Sequence, residues 1–345
     1  MTVNLEWSPQ KMPFDFIDLS SESDLNILDE QITDQRAWLV GSFEPQETIV
    51  PLDDAAKAEI RRLIEDLHAK PLPLLLRSPE EFDLPALKAA MGKVNEKLHN
   101  GMGFSVIDAL PMDDFDQEDM KAVFWIAGQF LGRTVAQRWD GTMIYDVTDT
   151  GKKFGYGVRG SFTNVELVFH TDNAFGVTPP DIVGLLCKYP AVSGGGSRFC
   201  SLYSVHNKML AEHPALLRRL YQPMHYDRQA EHAPRAPKTT WAPFFRYDGK
   251  KLTARANVQL VRKGYEVAGA DMEPELADAL DAVEEIGNRA DLWLELPIER
   301  GHMQYLNNVE LVHYRSHFVD HEDPARKRHL FRTWHRERGL RSYDG

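Results

Sequence analysis

The segment Phe169-His170-Thr171-Asp172-Asn173 sets an imidazole and a carboxylate, two good transition-metal ligands, one residue apart. On an extended strand, residues i and i+2 project to the same face, so His170 and Asp172 can converge on one point. A distant second histidine would complete a two-histidine, one-carboxylate facial triad, which leaves three coordination positions open. His-x-Asp also arises by chance, and the plain alternative is a polar pair at a surface strand end. Two histidines compete for the third place. His313 lies in Asn307-Asn308-Val309-Glu310-Leu311-Val312-His313-Tyr314-Arg315, an apolar, strand-like setting after an Asn-Asn turn signal. His317 follows four residues later and would share a face with it on a straight strand. His302 and His206 read as structural. Fifteen residues beyond His313 comes Arg328, then Arg332, within Arg326-Lys327-Arg328-His329-Leu330-Phe331-Arg332-Thr333-Trp334. Alternation along a strand puts Arg328 and Arg332 on one face with Leu330 between them. Read alone, the basic cluster to Arg341 also fits a nucleic-acid patch or a solvated surface run.

These groups need elements to hold them. The first third of the chain reads as helical: an amphipathic run from Ala55 to Lys70 behind Asp53-Asp54, another from Leu84 to His99, and a third from about Gln117 to Leu131. Phe104 to Ile107 reads as a strand. The Pro-containing stretch Lys70 to Pro85 is either a linker or a connection within one domain, and the sequence favours the connection. From Gly141 the texture changes to short apolar runs (Ile182–Cys187, Arg198–Leu202, Leu292–Leu296, Met303–Leu306) set between Gly, Pro and Asn, with one long helical pattern, Met272 to Asn288. Many short strands with turn signals predict a sandwich or barrel. Ser193-Gly194-Gly195-Gly196-Ser197 is a turn that feeds a strand, and by itself could be a simple hairpin.

The 345 residues carry a formal net charge of −12, which argues against a nucleic-acid partner and against attraction to anionic membranes. Two cysteines, Cys187 and Cys200, allow neither a disulfide framework nor a cysteine zinc cage. The first twenty residues lack the apolar stretch of a signal peptide, and no apolar run is long enough to span a bilayer. A cytoplasmic location is the expectation.

In order along the chain, His170/Asp172, Gly194-Gly195-Gly196-Ser197, Asn308 with His313 and Arg315, and Arg328/Arg332 resemble the motifs of the TauD/TfdA superfamily. These are taurine-dioxygenase and clavaminate-synthase-like enzymes dependent on Fe(II) and 2-oxoglutarate. The resemblance runs from about Gly101 to Trp334, and the segment before Lys70 has no clear counterpart. It implies a mainly β fold with flanking helices, a double-stranded β-helix (jelly-roll) barrel over residues 71–345, with residues 1–70 as an N-terminal helical extension. It implies Fe(II) on His170, Asp172 and His313, preferred to His317 because Arg315 stands where the family has its arginine. The cosubstrate 2-oxoglutarate would chelate iron and set its far carboxylate on Arg328 and Ser197, where the family more often has threonine. Arg328 suits that task because its planar fork binds a carboxylate bidentately and stays charged. Arg332 would meet the cosubstrate or an anionic group of the substrate. Dioxygen takes the remaining position. Halogenating relatives carry Gly or Ala at the carboxylate position, so Asp172 implies hydroxylation or desaturation. The substrate would be a small organic acid or amino-acid-like molecule, with succinate and CO2 released. Association into a homo-oligomer is a further expectation from the family. The alternatives are a cupin-type metal enzyme that makes no use of 2-oxoglutarate, and a catalytically silent small-molecule-binding barrel. The first would leave Arg328 and Ser197 without purpose, and no ligand is missing as the second would require.

For substrate contacts, Gln137 to Asp149 and Arg159 to Asn164 should lie near the mouth of the barrel. Arg159, Asn164 and Asn173 are candidates there, or they satisfy loop backbone groups. Trp241, Phe244 and Phe245 could wall a lid or pack in a core.

Overall fold

The computed structural model describes residues 15–21, 26–153 and 160–344. Three helices form where periodicity places them: α1 Asp54–Ala69, α2 Pro85–His99 and α3 Gln117–Gln129. Asp53 caps α1 by accepting the Ala56 N–H at 2.8 Å. The buried Glu59 of α1 accepts the N–H groups of Ala86 and Leu87 at 3.0 and 2.9 Å, which satisfies donors that helix geometry leaves open at the start of α2. Ile60, Leu63 and Ile64 of α1 share a core with Leu87, Met91 and Val94 of α2 and with Met120 to Ala127 of α3. The Lys70–Pro85 stretch is tied down to this layer: the Trp125 indole and the Gln129 amide both donate to the Arg77 carbonyl, at 3.0 and 3.1 Å.

Two main sheets position the site, beside three small ones of two or three strands. The larger runs in the order Ile49–Val50, Phe104–Ile107, Met303–Asn307, Ile182–Tyr189, His329–Arg336 and Arg133–Val135, with Tyr145–Thr148 also paired to His329–Arg336. It is antiparallel apart from the first pair. The smaller sheet is antiparallel, in the order Trp293–Leu296, Ser197–Ser201, Leu311–Arg315, Leu167–His170. Inner faces meet in one apolar layer, Phe104, Val106, Val183, Leu306 and Trp334 against Phe199, Leu296 and Leu311, with Phe104 and Phe199 stacked at 4.3 Å. Helices α2 and α3 cover the outer face of the larger sheet, and α1 packs on them. The architecture is mainly β with helices and of jelly-roll type. No strand pairing among the described residues joins the two sheets into a closed barrel.

The second half departs from the sequence reading. It holds four helices where one was expected: α4 Leu202–Glu212, α5 Pro214–Leu220, α6 Val258–Ala268 and α7 Pro274–Gly287. They build a separate core over the outer face of the smaller sheet. In α4 the polar Ser204 and His206 are buried beside Leu202, Tyr203 and Val205, which blurs its period. By contrast α6 has clear signals: an Asn257 cap on the Leu260 N–H at 3.0 Å and a left-handed Gly269 stop. Phe244 and Phe245 are buried in that core, and Trp241 packs on His225, so the three aromatics serve packing. Among the described residues, no helix is long and apolar enough to cross a membrane.

Candidate active site

Antiparallel pairing sets His170 and His313 directly opposite each other on adjacent strands of the smaller sheet. Their rings lie 4.3 Å apart between centroids. The strand ends at His170, so Asp172 sits in the turn beyond it. Its place on the same side is therefore due to a clamp rather than to strand alternation. The Asn308 amide accepts the Asp172 N–H at 2.7 Å and donates to the Asp172 carbonyl at 3.0 Å and the Pro180 carbonyl at 3.0 Å. With the turn held in this way, Asp172 Oδ1 lies 3.5 Å from His170 Nε2 and 3.6 Å from His313 Nε2. One ligand atom from each of the three residues lies within 4.8 Å of the others, the one such His/Cys/Asp/Glu cluster among the described residues. His317 is exposed beyond the end of the His313 strand and takes no part in it.

The surroundings fit this set to a metal. His170 Nδ1 donates to the Val168 carbonyl at 2.7 Å, which fixes the tautomer that leaves Nε2 as an electron-pair donor. Burial, with help from nearby His170, drops the His313 pKa to about 3, so its imidazole is neutral and ready to ligate. Asp172 Oδ2 is occupied by the Trp334 indole N–H at 2.8 Å and by Arg332 Nη1 at 2.9 Å. Oδ1 is thereby the oxygen turned toward both histidines. Burial alone would raise the Asp172 pKa, but the Arg332 charge and the two imidazoles outweigh it and hold the carboxylate ionised. The sequence reading gave Trp334 no role, and nothing in residue type alone marks it. Replacing Trp334 with Phe removes one of the two Oδ2 contacts and lowers Fe(II) affinity by roughly ten- to hundredfold. Anaerobic Fe(II) titration measures this, and an unchanged affinity would show that Arg332 alone orients the carboxylate.

His170 and Asp172 of the triad line a cavity of about 340 Å³, together with Ser161, Glu166, Asn173, Gln259, Arg332 and Trp334 among others. Asn173 adopts φ 54° in the left-handed region, which asparagine tolerates better than most residues. Its side chain is buried, and neither amide atom has a hydrogen-bond partner. Asn164 is half-buried in the preceding loop and does not line this cavity. Arg159 lies outside the described residues. Besides Asp172, Arg332 meets Gln137, its Nε donating to Oε1 at 2.8 Å, and its guanidinium packs over the Tyr145 and Trp334 rings.

A second polar group forms nearby. Arg328 is buried; its Nη2 donates to the Gly195 carbonyl at 3.3 Å, while Nε and Nη1 have no partner. Burial lowers its pKa to about 10, so it keeps its charge at neutral pH. Gly195 is at φ +71°, and a Cβ there would come within 2.8 Å of Arg328 Nε, so the glycine run opens space for the guanidinium as well as turning the chain. Arg315 approaches the same Phe318 ring as Arg328, and its Nη2 binds the carbonyls of Gly160 at 3.4 Å, Thr163 at 2.9 Å and Val165. Ser197 is buried two residues from Gly195, its hydroxyl donating to Gln304 Oε1 at 3.0 Å. Unpartnered cationic N–H groups suit an anion such as a carboxylate.

The comparisons agree with this geometry. The chain is 28% identical over 323 residues to FR-33289 synthase of Streptomyces rubellomurinus, covering 90% of this chain and 91% of that protein. It is 27% identical over 317 residues to the taurine hydroxylase-like protein SAT17 of Stachybotrys chartarum, covering 88% and 79%. Among solved structures it is similar to an asparagine oxygenase holding Fe(II), 3-hydroxyasparagine and succinate, with TM-score 0.64, 18% identity and 86% and 94% coverage. It is also similar to the non-haem iron oxygenase OrfP with Fe, succinate and (3S)-hydroxy-L-Arg, with TM-score 0.63, 16% identity and 84% and 94% coverage. The model of the taurine catabolism dioxygenase TauD, TfdA family matches residues 49–334, reaching further toward the N-terminus than Gly101. With that match over most of the chain, and with a triad fitted to iron, the protein belongs to the TauD/TfdA family of non-haem iron, 2-oxoglutarate-dependent dioxygenases.

Proposed function

We propose that this chain hydroxylates a small, polar, amino-acid-like or organic-acid substrate in the cavity beside Asn173, within a double-stranded β-helix. The observation that carries the reading is the convergence of His170, Asp172 and His313 on one point, with His170 and Asp172 lining that cavity, Oδ2 of Asp172 occupied and Oδ1 left to ligate. The three residues would hold Fe(II), and Arg328 would hold the far carboxylate of 2-oxoglutarate with Ser197 assisting. When bound, iron and 2-oxoglutarate supply the reduction of dioxygen that oxidises a substrate C–H bond, with succinate and CO2 as the other products. The chain's own residues do the placing. Asn308 fixes Asp172, Val168 fixes the His170 tautomer, and Arg332 holds the carboxylate charge. Asn173 offers an NH2 donor group and a carbonyl acceptor, both buried and unpaired, to a substrate amide, or to a carboxylate together with an ammonium group. Leaving such a pair unmet is costly, so a substrate that meets both is selected over one that does not. The hydroxyamino acids in the related structures point to the same class.

The test is anaerobic titration of the iron-free protein with Fe(II) and 2-oxoglutarate, followed by the weak visible band of chelated cosubstrate. The band is expected in the wild type and in His317→Ala, and lost in His313→Ala. A wild type that binds iron without giving the band would sink the reading. Succinate release stimulated by individual amino acids and small organic acids would then find the substrate.

A further inference from the structure

The buried N–H groups without an acceptor include Nε and Nη1 of Arg328 and Nε2 of Gln304. Gln304 is fully buried on the central strand Met303–Asn307 of the larger sheet. It meets Ser197 of the smaller sheet across the interior. Ser197 is two residues from Gly195, whose carbonyl takes Arg328 Nη2. The serine has one proton, and it is given to Gln304 Oε1 at 3.0 Å. The amide is thereby turned with its oxygen toward Ser197 and its nitrogen unmet. A carboxylate beside the cationic Arg328 favours this orientation, because an anion selects the N–H end of an amide over the oxygen end.

Resting on the cosubstrate reading above, we propose that Gln304 Nε2, rather than the Ser197 hydroxyl, is the second donor to the far carboxylate of 2-oxoglutarate. Ser197 is then a positioning residue that acts through Gln304. The unmet amide is otherwise a net cost at the centre of the fold, since a buried donor without an acceptor loses its hydration and gains nothing.

The probes are 2-oxoglutarate and 2-oxopentanoate, which has the same chain length but ends in a methyl group. Each is titrated anaerobically into the Fe(II)-loaded protein, read by the visible band and by binding calorimetry. Gln304→Met, close in volume, is expected to weaken 2-oxoglutarate binding by about tenfold or more and to leave 2-oxopentanoate binding unchanged. Gln304→Glu, which faces the carboxylate with a like charge, weakens it further. Ser197→Ala weakens 2-oxoglutarate binding by a smaller factor in the wild-type background, and has no further effect in Gln304→Met. If Ser197 touched the carboxylate itself, the two losses would multiply, and the proposal would be wrong. It would equally be overturned if Gln304→Met bound both oxo acids as the wild type does. If Gln304→Met weakened both alike, the amide would be structural and the proposal again fails. Absence of the band in wild type is a different outcome, which removes the cosubstrate reading itself.

Discussion

Asp172→Ala is expected to lose Fe(II) binding and to destabilise the metal-free protein at the same time. The first effect follows from ligation. Asp172 supplies the one anionic ligand of the triad, so its removal should exceed the roughly ten- to hundredfold losses typical of outer-sphere changes. The second follows from the company it keeps. Arg332 Nη1 lies 2.9 Å from Oδ2, and both side chains are largely buried. Removing one member of a buried pair leaves the other charge without its partner, a cost of about 3 kcal/mol or more. Asp172→Asn keeps the volume and removes the charge, and it is expected to show both losses. Metal affinity by anaerobic titration and denaturant unfolding of the metal-free protein measure the two effects separately. A variant that lost iron but unfolded like the wild type would show that Arg332 finds its stabilisation in Gln137 and the Tyr145 and Trp334 rings instead.

Much of the site was legible because ligand chemistry limits residue type. Few side chains bind iron, so His170, Asp172 and His313 stand out once their order along the chain is considered. The reason they converge was only half legible. Alternation accounts for a face of a strand, yet the strand stops at His170, and the Asn308 clamp that returns Asp172 to that face is a contact between residues 136 positions apart. Trp334 and Gln304 were invisible for the same cause. An indole or an amide in a strand reads as packing until its partner is known, and partner identity depends on sheet register. The larger sheet brings strands from both ends of the chain together, and no local pattern encodes that order. Helices show the same division. The amphipathic α1 and α2 were readable from one apolar face each, whereas α4 buries Leu202 through His206 consecutively, the polar Ser204 and His206 among them, so residue type does not mark its buried face. Asn164 is a polar loop residue near a ligand strand in sequence that lies outside the cavity lining in space.

Arg328→Met reverses the sign seen at Asp172. Metal-free protein carrying this change is expected to be more stable than the wild type, by about 1–3 kcal/mol, because a buried charge with two unmet N–H groups is replaced by an apolar chain of similar reach. The depressed pKa, about 10, has the same origin: burial disfavours the charged form, and the guanidinium remains charged at neutral pH at the expense of the fold. Its neighbour Phe318 presents apolar surface that methionine can cover. Binding moves the other way. A lost charge-assisted contact to the far carboxylate lowers 2-oxoglutarate affinity by about a hundredfold or more, while Fe(II) affinity stays at the wild-type level, since Arg328 makes no contact with the triad. Unfolding midpoints of the metal-free proteins and band titrations of the Fe(II)-loaded ones test both arms. If Arg328→Met were less stable than the wild type, the guanidinium would be a structural cation whose partners suffice within the chain. A gain in stability joined to a loss of cosubstrate means that this strain is retained for binding, in the way active sites hold groups poised for a ligand against the stability of the empty fold.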